Sequence, residues 1–233
     1  MPRKLAPTTT TKRYHDSVRP TMLAQLPLKP LVFILCLLPL ARTLSILLRG
    51  QPVNPIEFLT RSTGTWTLVL LLITLSLTPL RRLTGTVWPL RLRRMMGLFA
   101  FFYASLHFTT YLWLDQFFDL AAILRDIRKR PFITVGFMAF VLLLPLAATS
   151  TDRMLRRLKR NWQRLHYAVY PIAILAIVHY WWLVKRDLTQ PMVYGSILAV
   201  LLGIRLWWKW QTWRRSVARA QPAIQTDGRK IGV

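Results

Sequence analysis

The chain has 233 residues, of which 53% are hydrophobic, and it carries a formal net charge of +25 at pH 7. Its basic and apolar residues are segregated along the chain, whereas a soluble nucleic-acid-binding protein interleaves them on amphipathic elements. We therefore expect contact with membrane lipid and none with nucleic acid. Cys36 is the only cysteine, which excludes an intramolecular disulfide, an iron–sulfur cluster and a thiolate zinc site.

The first 30 residues are polar, basic and rich in Thr and Pro, which predicts a disordered cytoplasmic tail. His15 belongs to this tail and is expected to be solvated. The apolar run that follows has no good cleavage site, since the segment from Pro39 to Arg42 fits one poorly. We therefore predict an uncleaved first membrane span.

Six apolar stretches of helical length follow the tail, at residues 31–48, 66–80, 97–114, 132–148, 165–184 and 191–208. A helix needs roughly 20 such residues to cross a bilayer, and a strand of a membrane barrel only about 10. The first stretch contains Pro39 and Arg42 and could be kinked or end early, and the second could begin near Thr63. The sequence predicts an all-α, polytopic bundle of six transmembrane helices over residues 31–208. A short, loosely ordered cytoplasmic tail is expected at residues 209–233, and no internal repeat is evident.

Basic residues are concentrated in the loops after the second and fourth stretches. They are Arg81, Arg82, Arg91, Arg93 and Arg94 in one loop, and Arg153, Arg156, Arg157, Lys159, Arg160 and Arg164 in the other. The second of these loops contains one acidic residue, Asp152, and the first contains none. Because Lys and Arg accumulate on the cytoplasmic side of a membrane, both loops and both termini are predicted to be cytoplasmic.

Two histidines lie deep in the third and fifth stretches. His107 is about 15 Å from the cytoplasmic end of its stretch and His179 about 21 Å from the start of its own. Both helices are predicted to run from inside to outside, so the two imidazoles could face each other in the outer half of the membrane. Two facing neutral imidazoles suit the axial positions of a low-spin haem in an apolar shell.

A third histidine, His166, lies about 20 Å before His179, near the cytoplasmic surface. Residues thirteen apart on a straight helix point about 140° away from each other, although Pro171 could kink or rewind this one. No second imidazole is expected beside His166. The inner site is therefore a haem with one His ligand or another cofactor, and Arg93 and Arg94 would suit an anionic phosphate.

The residues alone leave several interpretations open. The histidines could ligate haem, form a proton or ion pathway, or make hydrogen bonds between helices. Arg93 and Arg94 could likewise serve only to set the topology.

Several segments resemble the MsrQ (YedZ) family, the haem-binding membrane subunits of a bacterial methionine sulfoxide reductase system. They are RRMMGLFAFFYASLHFTTY at 93–111, RPFITVG at 130–136, TST at 149–151, NWQRLHYAVY at 161–170 and HYW at 179–181. The resemblance runs from about residue 31 to 208 and covers neither tail. This family belongs to the ferric-reductase-like transmembrane group.

The resemblance implies b-type haem, with His107, His166 and His179 as candidate ligands of the iron. It also implies flavin mononucleotide (FMN), with Arg93 and Arg94 at the matching basic positions. The chain would then be a non-catalytic electron-transfer subunit in a bacterial inner membrane. Electrons from quinol or a cytosolic flavin reductase would cross to a periplasmic MsrP-like molybdopterin reductase, which repairs oxidised methionine in proteins.

Two other functions remain as alternatives. One is a ferric-reductase or cytochrome-b-like oxidoreductase with a different acceptor. Relatives of that kind usually carry an attached flavin and nicotinamide domain, for which residues 209–233 are too few. The other is a haem-free transporter that uses the histidines as a proton relay.

Overall fold

The computed structural model describes residues 28–184 and 187–227, the last nine of them by their backbone alone. The helices within these ranges are α1 (Leu28–Leu48), α2 (Pro55–Thr84), α3 (Trp88–Thr109), α4 (Leu120–Lys129), α5 (Pro131–Ala148), α6 (Asp152–Leu158), α7 (Arg160–His166), α8 (Val169–Leu183) and α9 (Thr189–Asp227). A π-helical segment, Thr110–Asp115, continues α3. The described residues include no strand, so the predicted all-α class is confirmed. Most of the predicted N-terminal tail, with His15, lies outside the described residues.

Within the described ranges, five helical segments are long and apolar enough to cross a membrane: α1, α2, α3 with its π-helical continuation, α5 and α9. The remaining predicted stretch, residues 165–184, is divided by a turn at Tyr167 and Ala168. Its second part, α8, has 15 residues and is therefore about 22 Å long. The prediction of a polytopic membrane bundle is confirmed. Five of the six predicted stretches form helices long enough to span a membrane, and the other one is divided into α7 and the shorter α8.

The second span begins earlier than the sequence suggests. The side chain of Asn54 caps α2 by accepting a hydrogen bond from the backbone N–H of Glu57, at 3.1 Å. Pro55 occupies the first helical position, where its missing N–H costs nothing. The helix ends at Gly85, whose φ of 68° is the left-handed conformation that glycine adopts most easily. Capping residues set these limits, so the apolar run marks only the central part of α2.

Two expectations about the outer spans differ from the structure. The sequence allows the first stretch to be kinked or to end early at Pro39 or Arg42, and the early end is wrong, since α1 continues to Leu48. The expected loosely ordered C-terminal tail is wrong for its first part, since α9 continues as a helix to Asp227. A contact between a basic and an aromatic residue stabilises this extension: the Arg214 guanidinium lies 4.7 Å from the ring centroid of Trp210.

Two antiparallel helix pairs form the core of the bundle. In one pair α2 packs along α3, and in the other α5 packs along α8. The core contains the fully buried Leu75, Ala100 and Ala173. Tyr103 fixes α1 to this core, since its hydroxyl donates a hydrogen bond to the carbonyl of Cys36 at 2.8 Å. Each of the two pairs contributes one histidine to the space between them.

Candidate functional site

The structure brings His107 of α3 and His179 of α8 together. Their ring centroids are 6.2 Å apart and their planes meet at 77°. Both side chains line one cavity between the two helix pairs. The expected juxtaposition is therefore present in the structure, while the role of the two histidines as ligands stays a prediction.

Each imidazole is held by a backbone carbonyl of the neighbouring helix. The Nδ1 of His107 lies 2.9 Å from the carbonyl oxygen of Thr60, and the Nδ1 of His179 lies 2.6 Å from that of Phe132. A carbonyl oxygen only accepts hydrogen bonds, so each Nδ1 carries the proton and donates it. In the neutral imidazole the lone pair is then on Nε2, the atom that can bind a metal.

A glycine lies against each of these imidazoles. A Cβ atom at Gly64 would be 3.0 Å from both Nδ1 and Cε1 of His107, and one at Gly136 would be only 2.7 Å from Nδ1 of His179. Any larger residue would displace the ring. The two glycines therefore let α2 and α5 approach the imidazoles closely enough to make the carbonyl hydrogen bonds.

Each histidine, its carbonyl partner and its contacting glycine form a group of three residues, and the two groups have the same spacing along the chain. In both, the histidine follows its carbonyl partner by 47 residues. In both, the glycine lies four residues after the carbonyl, at Gly64 after Thr60 and at Gly136 after Phe132. The two helix pairs thus repeat at an offset of 72 residues, at which the segments VLLL of residues 69–72 and 141–144 also coincide. Leucine-rich runs are common in membrane helices, so the sequence alone does not make this repeat evident.

The cavity between the helix pairs has a volume of about 460 Å³, within the usual range for cofactor sites. Its inner part is apolar, lined by residues such as Leu68, Leu71, Ala100, Phe140, Ile172 and Ala176. Two arginines line its edge near the N-terminal starts of α2 and α5. Arg61 pairs with Glu57 at 2.7 Å, and Arg130 pairs with Asp126 at 3.4 Å.

The spacing of the two rings is compatible with both imidazoles binding one metal ion. With metal–nitrogen bonds of about 2 Å and ~1.1 Å from ring nitrogen to ring centre, two imidazoles on opposite sides of one ion would have centroids roughly 6 Å apart. The observed separation of His107 and His179 agrees with this value. The described ranges contain no group of three or more His, Cys, Asp or Glu residues that could hold a metal ion by themselves.

His166 lies apart from this pair, at the end of α7. Its ring stacks on Trp162 at 3.8 Å, and its Nδ1 lies 3.0 Å from the carbonyl oxygen of the same residue. Its Nε2 is buried without a hydrogen-bond partner. The helix is interrupted by a turn at Tyr167 and Ala168, the fourth and third residues before Pro171, where a proline removes a helical hydrogen bond. The interruption that the sequence left open for Pro171 is therefore present, and Pro171 itself lies in the first turn of α8.

Arg93 and Arg94, which the sequence predicts to hold a phosphate together, have different surroundings in the structure, and their role in binding a phosphate stays a prediction. Arg94 forms an ion pair with Asp152 at 2.5 Å. Arg93 is half-buried and forms no ion pair with any described residue. Arg205 of α9, which the sequence analysis did not single out, donates hydrogen bonds to the Tyr170 hydroxyl at 2.8 Å and to the Leu75 carbonyl at 2.5 Å. Its signal in the sequence was a lone charge inside the apolar stretch 191–208.

Comparison with known proteins gives one family model and a set of close relatives. The model, described as "Ferric reductase like transmembrane component", matches residues 63–177. A "Protein-methionine-sulfoxide reductase heme-binding subunit MsrQ" of Herminiimonas arsenicoxydans is 57% identical over 188 residues, which are 79% of this chain and 86% of that protein. No solved structure matches the chain significantly.

Two further relatives carry the same name. The one from Bordetella pertussis is 56% identical over 197 residues, covering 82% of this chain and 94% of the relative. The one from Xanthomonas campestris pv. campestris strain 8004 is 56% identical over 170 residues, covering 73% and 75%.

Proposed function

Because the chain belongs to the MsrQ family of haem-binding subunits, we propose that it carries electrons across a bacterial inner membrane to a periplasmic methionine sulfoxide reductase. The observation that supports this most strongly is the opposed pair of His107 and His179 at the edge of an apolar cavity. These two residues would hold the iron of a b-type haem through their Nε2 atoms. When bound, the haem would take up and release one electron at a time.

The surrounding residues have separate roles in this proposal. The carbonyls of Thr60 and Phe132 fix the orientation of the two imidazoles and increase their basicity. The apolar walls exclude water from the iron and influence its potential. Arg61 and Arg130, at the edge of the same cavity, would pair with the two propionate carboxylates of the haem.

The two basic loops support an orientation with both termini in the cytoplasm. Arg94, from the loop side of α3, contacts Asp152 at the start of α6, so the loops after α2 and α5 lie at the same end of the bundle. His107 and His179 interact with the beginnings of α2 and α5, at the opposite end. Since basic loops stay on the cytoplasmic side, the histidine pair would be in the periplasmic half of the membrane.

Electrons would then enter at the cytoplasmic end and leave near the histidine pair. The proposed donors are quinol or a cytosolic flavin reductase, and the proposed inner cofactor is FMN, close to Arg93 and His166. The proposed acceptor is a periplasmic molybdopterin reductase of the MsrP type. Reduction of one methionine sulfoxide takes two electrons and two protons and releases one water, so each turnover needs two one-electron deliveries.

Reoxidation of the reduced haem protein tests this proposal directly. The purified chain is reduced anaerobically, and its visible absorption is followed after addition of the molybdopterin reductase with methionine sulfoxide. We expect continued reoxidation, beyond the electrons that the reductase itself can store, only when both are present. His107→Ala and His179→Ala should lack the low-spin haem absorption from the start. Reoxidation by a ferric chelate alone would instead favour a ferric reductase, and a protein without a Soret band after haem-supplemented expression would favour a haem-free transporter.

A further inference from the structure

Pro79 interrupts the hydrogen-bond ladder of α2 inside the bundle. Proline has no backbone N–H, so the carbonyl of the residue four positions earlier, Leu75, loses its usual helical donor. Leu75 is fully buried, and water therefore does not replace that donor. A buried carbonyl without a hydrogen bond is destabilising, so a partner from another part of the fold is needed.

Arg205 of α9 supplies this donor. Its Nη2 donates to the carbonyl oxygen of Leu75 at 2.5 Å, and its Nη1 donates to the hydroxyl of Tyr170, in the first turn of α8, at 2.8 Å. Its guanidinium carbon also lies 5.3 Å from the centroid of the Tyr170 ring. Arginine suits this position because its rigid fork of N–H groups reaches two acceptors at once. One side chain of α9 thus joins α2 to α8.

A second proline-containing helix is supported in a comparable way. In α1, the Tyr103 hydroxyl from α3 accepts a hydrogen bond from the N–H of Leu40 at 3.1 Å and donates one to the Cys36 carbonyl at 2.8 Å. Leu40 directly follows Pro39, so the tyrosine enters the helical ladder at the turn that contains the proline. These contacts are neutral. Arg205 instead places a charge inside a membrane helix, which is costly and marks a candidate functional residue.

We propose that Arg205 is a positioning residue for the histidine pair. Helix α2 carries Thr60 and Gly64, which contact His107. Helix α8 carries His179. By bonding to both helices, Arg205 fixes their separation and their rotation relative to each other, and both contribute to the spacing of the two imidazoles. The haem bound by this pair rests on the proposed function, whereas the contacts of Arg205 with α2 and α8 do not.

The link acts on the histidine pair over a distance. Leu75 lies eleven residues after Gly64, and Tyr170 lies nine residues before His179, which correspond to about 17 and 14 Å along their helices. A change at the link therefore reaches the imidazoles as a small shift or rotation of whole helices and not through a direct contact.

A double-mutant cycle tests the link between Arg205 and Pro79. The haem-loaded full chain is unfolded by SDS in mixed micelles, and unfolding is followed by circular dichroism and haem absorption. Arg205→Met removes the donor, and Pro79→Ala restores the N–H that the Leu75 carbonyl lacks. Arg205→Met should raise the unfolding equilibrium constant roughly 5- to 150-fold more in the protein with Pro79 than in the Pro79→Ala protein. The lost charge and the lost Tyr170 contact are common to both backgrounds and cancel.

Two controls change a proline and an arginine outside the link. Pro145 also lies inside a membrane helix, α5, whereas the two hydrogen bonds of Arg205 go to α2 and α8. Arg205→Met should therefore change the unfolding constant by the same factor with and without Pro145→Ala. Arg214→Met changes an exposed arginine on the same helix and should keep both the haem content and its spectrum.

Electron paramagnetic resonance reports on positioning separately from stability. Arg205→Met should shift the g values of the low-spin ferric haem, because these values depend on the angle between the imidazole planes, which is 77° here. Pro79→Ala combined with Arg205→Met should show the same shift, because the restored N–H repairs α2 but does not rejoin it to α8. Arg214→Met and Pro145→Ala should keep the wild-type g values.

A larger effect of Arg205→Met in the presence of Pro79, together with shifted g values, supports the inference. Equal effects on unfolding in the two backgrounds overturn it, because Arg205 would then not replace the donor that Pro79 lacks. Unshifted g values in folded, haem-loaded Arg205→Met also overturn it, since the residue would then stabilise the bundle without positioning the histidines.

Two further outcomes are decisive as well. If Arg205→Met does not fold, recovery of folded protein on adding Pro79→Ala supports the inference, and failure to recover it counts against the inference. If the wild-type protein binds no haem, the proposed function fails, and the unfolding cycle followed by circular dichroism then decides the link between Arg205 and Pro79 by itself.

Discussion

Replacing Gly136 with Ala should impair haem binding by pushing His179 away from its hydrogen-bond partner. The new Cβ would lie 2.7 Å from Nδ1 and 2.8 Å from Cε1 of the imidazole, where about 3.5 Å is the closest comfortable contact. The ring or the helix must therefore move by roughly 0.8 Å. The Phe132 carbonyl, which accepts the hydrogen bond from Nδ1 at 2.6 Å, is on the same helix as the new methyl group. A movement of the ring away from the methyl group therefore also stretches this hydrogen bond.

Overpacking of this kind typically costs about 1–3 kcal/mol. If this cost destabilises only the haem-bound state, haem affinity falls roughly 5- to 150-fold. Titration of the haem-free variant with haem, followed by absorption, measures the affinity and the low-spin fraction together. Gly64→Ala should behave in the same way through His107 but less severely, since its Cβ would be 3.0 Å from the nearest ring atoms.

Gly97→Ala and Gly203→Ala are the matched controls. A Cβ at Gly97 would be 3.8 Å from its nearest neighbour, the Thr74 methyl group, and one at Gly203 would have no neighbour within 4 Å. Both glycines are within helices, where alanine is favoured by up to about 1 kcal/mol. Haem affinity equal to these controls in Gly136→Ala would refute the argument that close packing of glycine positions the imidazoles.

Two further predictions concern the edge of the cavity and the topology. Arg130→Gln removes a positive charge from the edge of the proposed haem cavity, which stabilises the oxidised haem relative to the reduced one. The midpoint potential measured in a redox titration should therefore fall. An unchanged potential would mean that Arg130 does not interact with the haem. A reporter active only in the periplasm should be silent when fused after Val233 and active when inserted next to Asp119, and the reverse pattern would contradict the proposed electron path.

The sequence predicts the helices well where a long apolar stretch determines them. It fails at their ends, because the start of α2 depends on the cap at Asn54 and its end on Gly85. The amphipathic helix α4 in the third loop was also not predicted. Asp119 caps it by accepting hydrogen bonds from two backbone N–H groups. Capping is a local signal that a search for apolar stretches does not register.

The pairing of His107 and His179 was predictable because histidine inside a membrane helix is costly and depth follows from helix geometry. The supporting residues were not, since a backbone carbonyl has no side-chain signature and Gly64 and Gly136 are ordinary among the nine glycines of the chain. The ion pair of Arg94 was also not predictable, because its partner Asp152 is 58 residues away in sequence. Such long-range partners require the three-dimensional fold.

Electron paramagnetic resonance of the haem-loaded protein tests the central claim most directly. Two imidazoles whose planes meet at 77° should give a low-spin ferric signal of strong anisotropy. The account predicts that this signal is present in the wild-type protein and in His166→Ala, and that it is lost or becomes high-spin in both His107→Ala and His179→Ala. Retention of the low-spin signal and of full haem content in both of the last two variants would contradict the assignment of His107 and His179 as the axial pair.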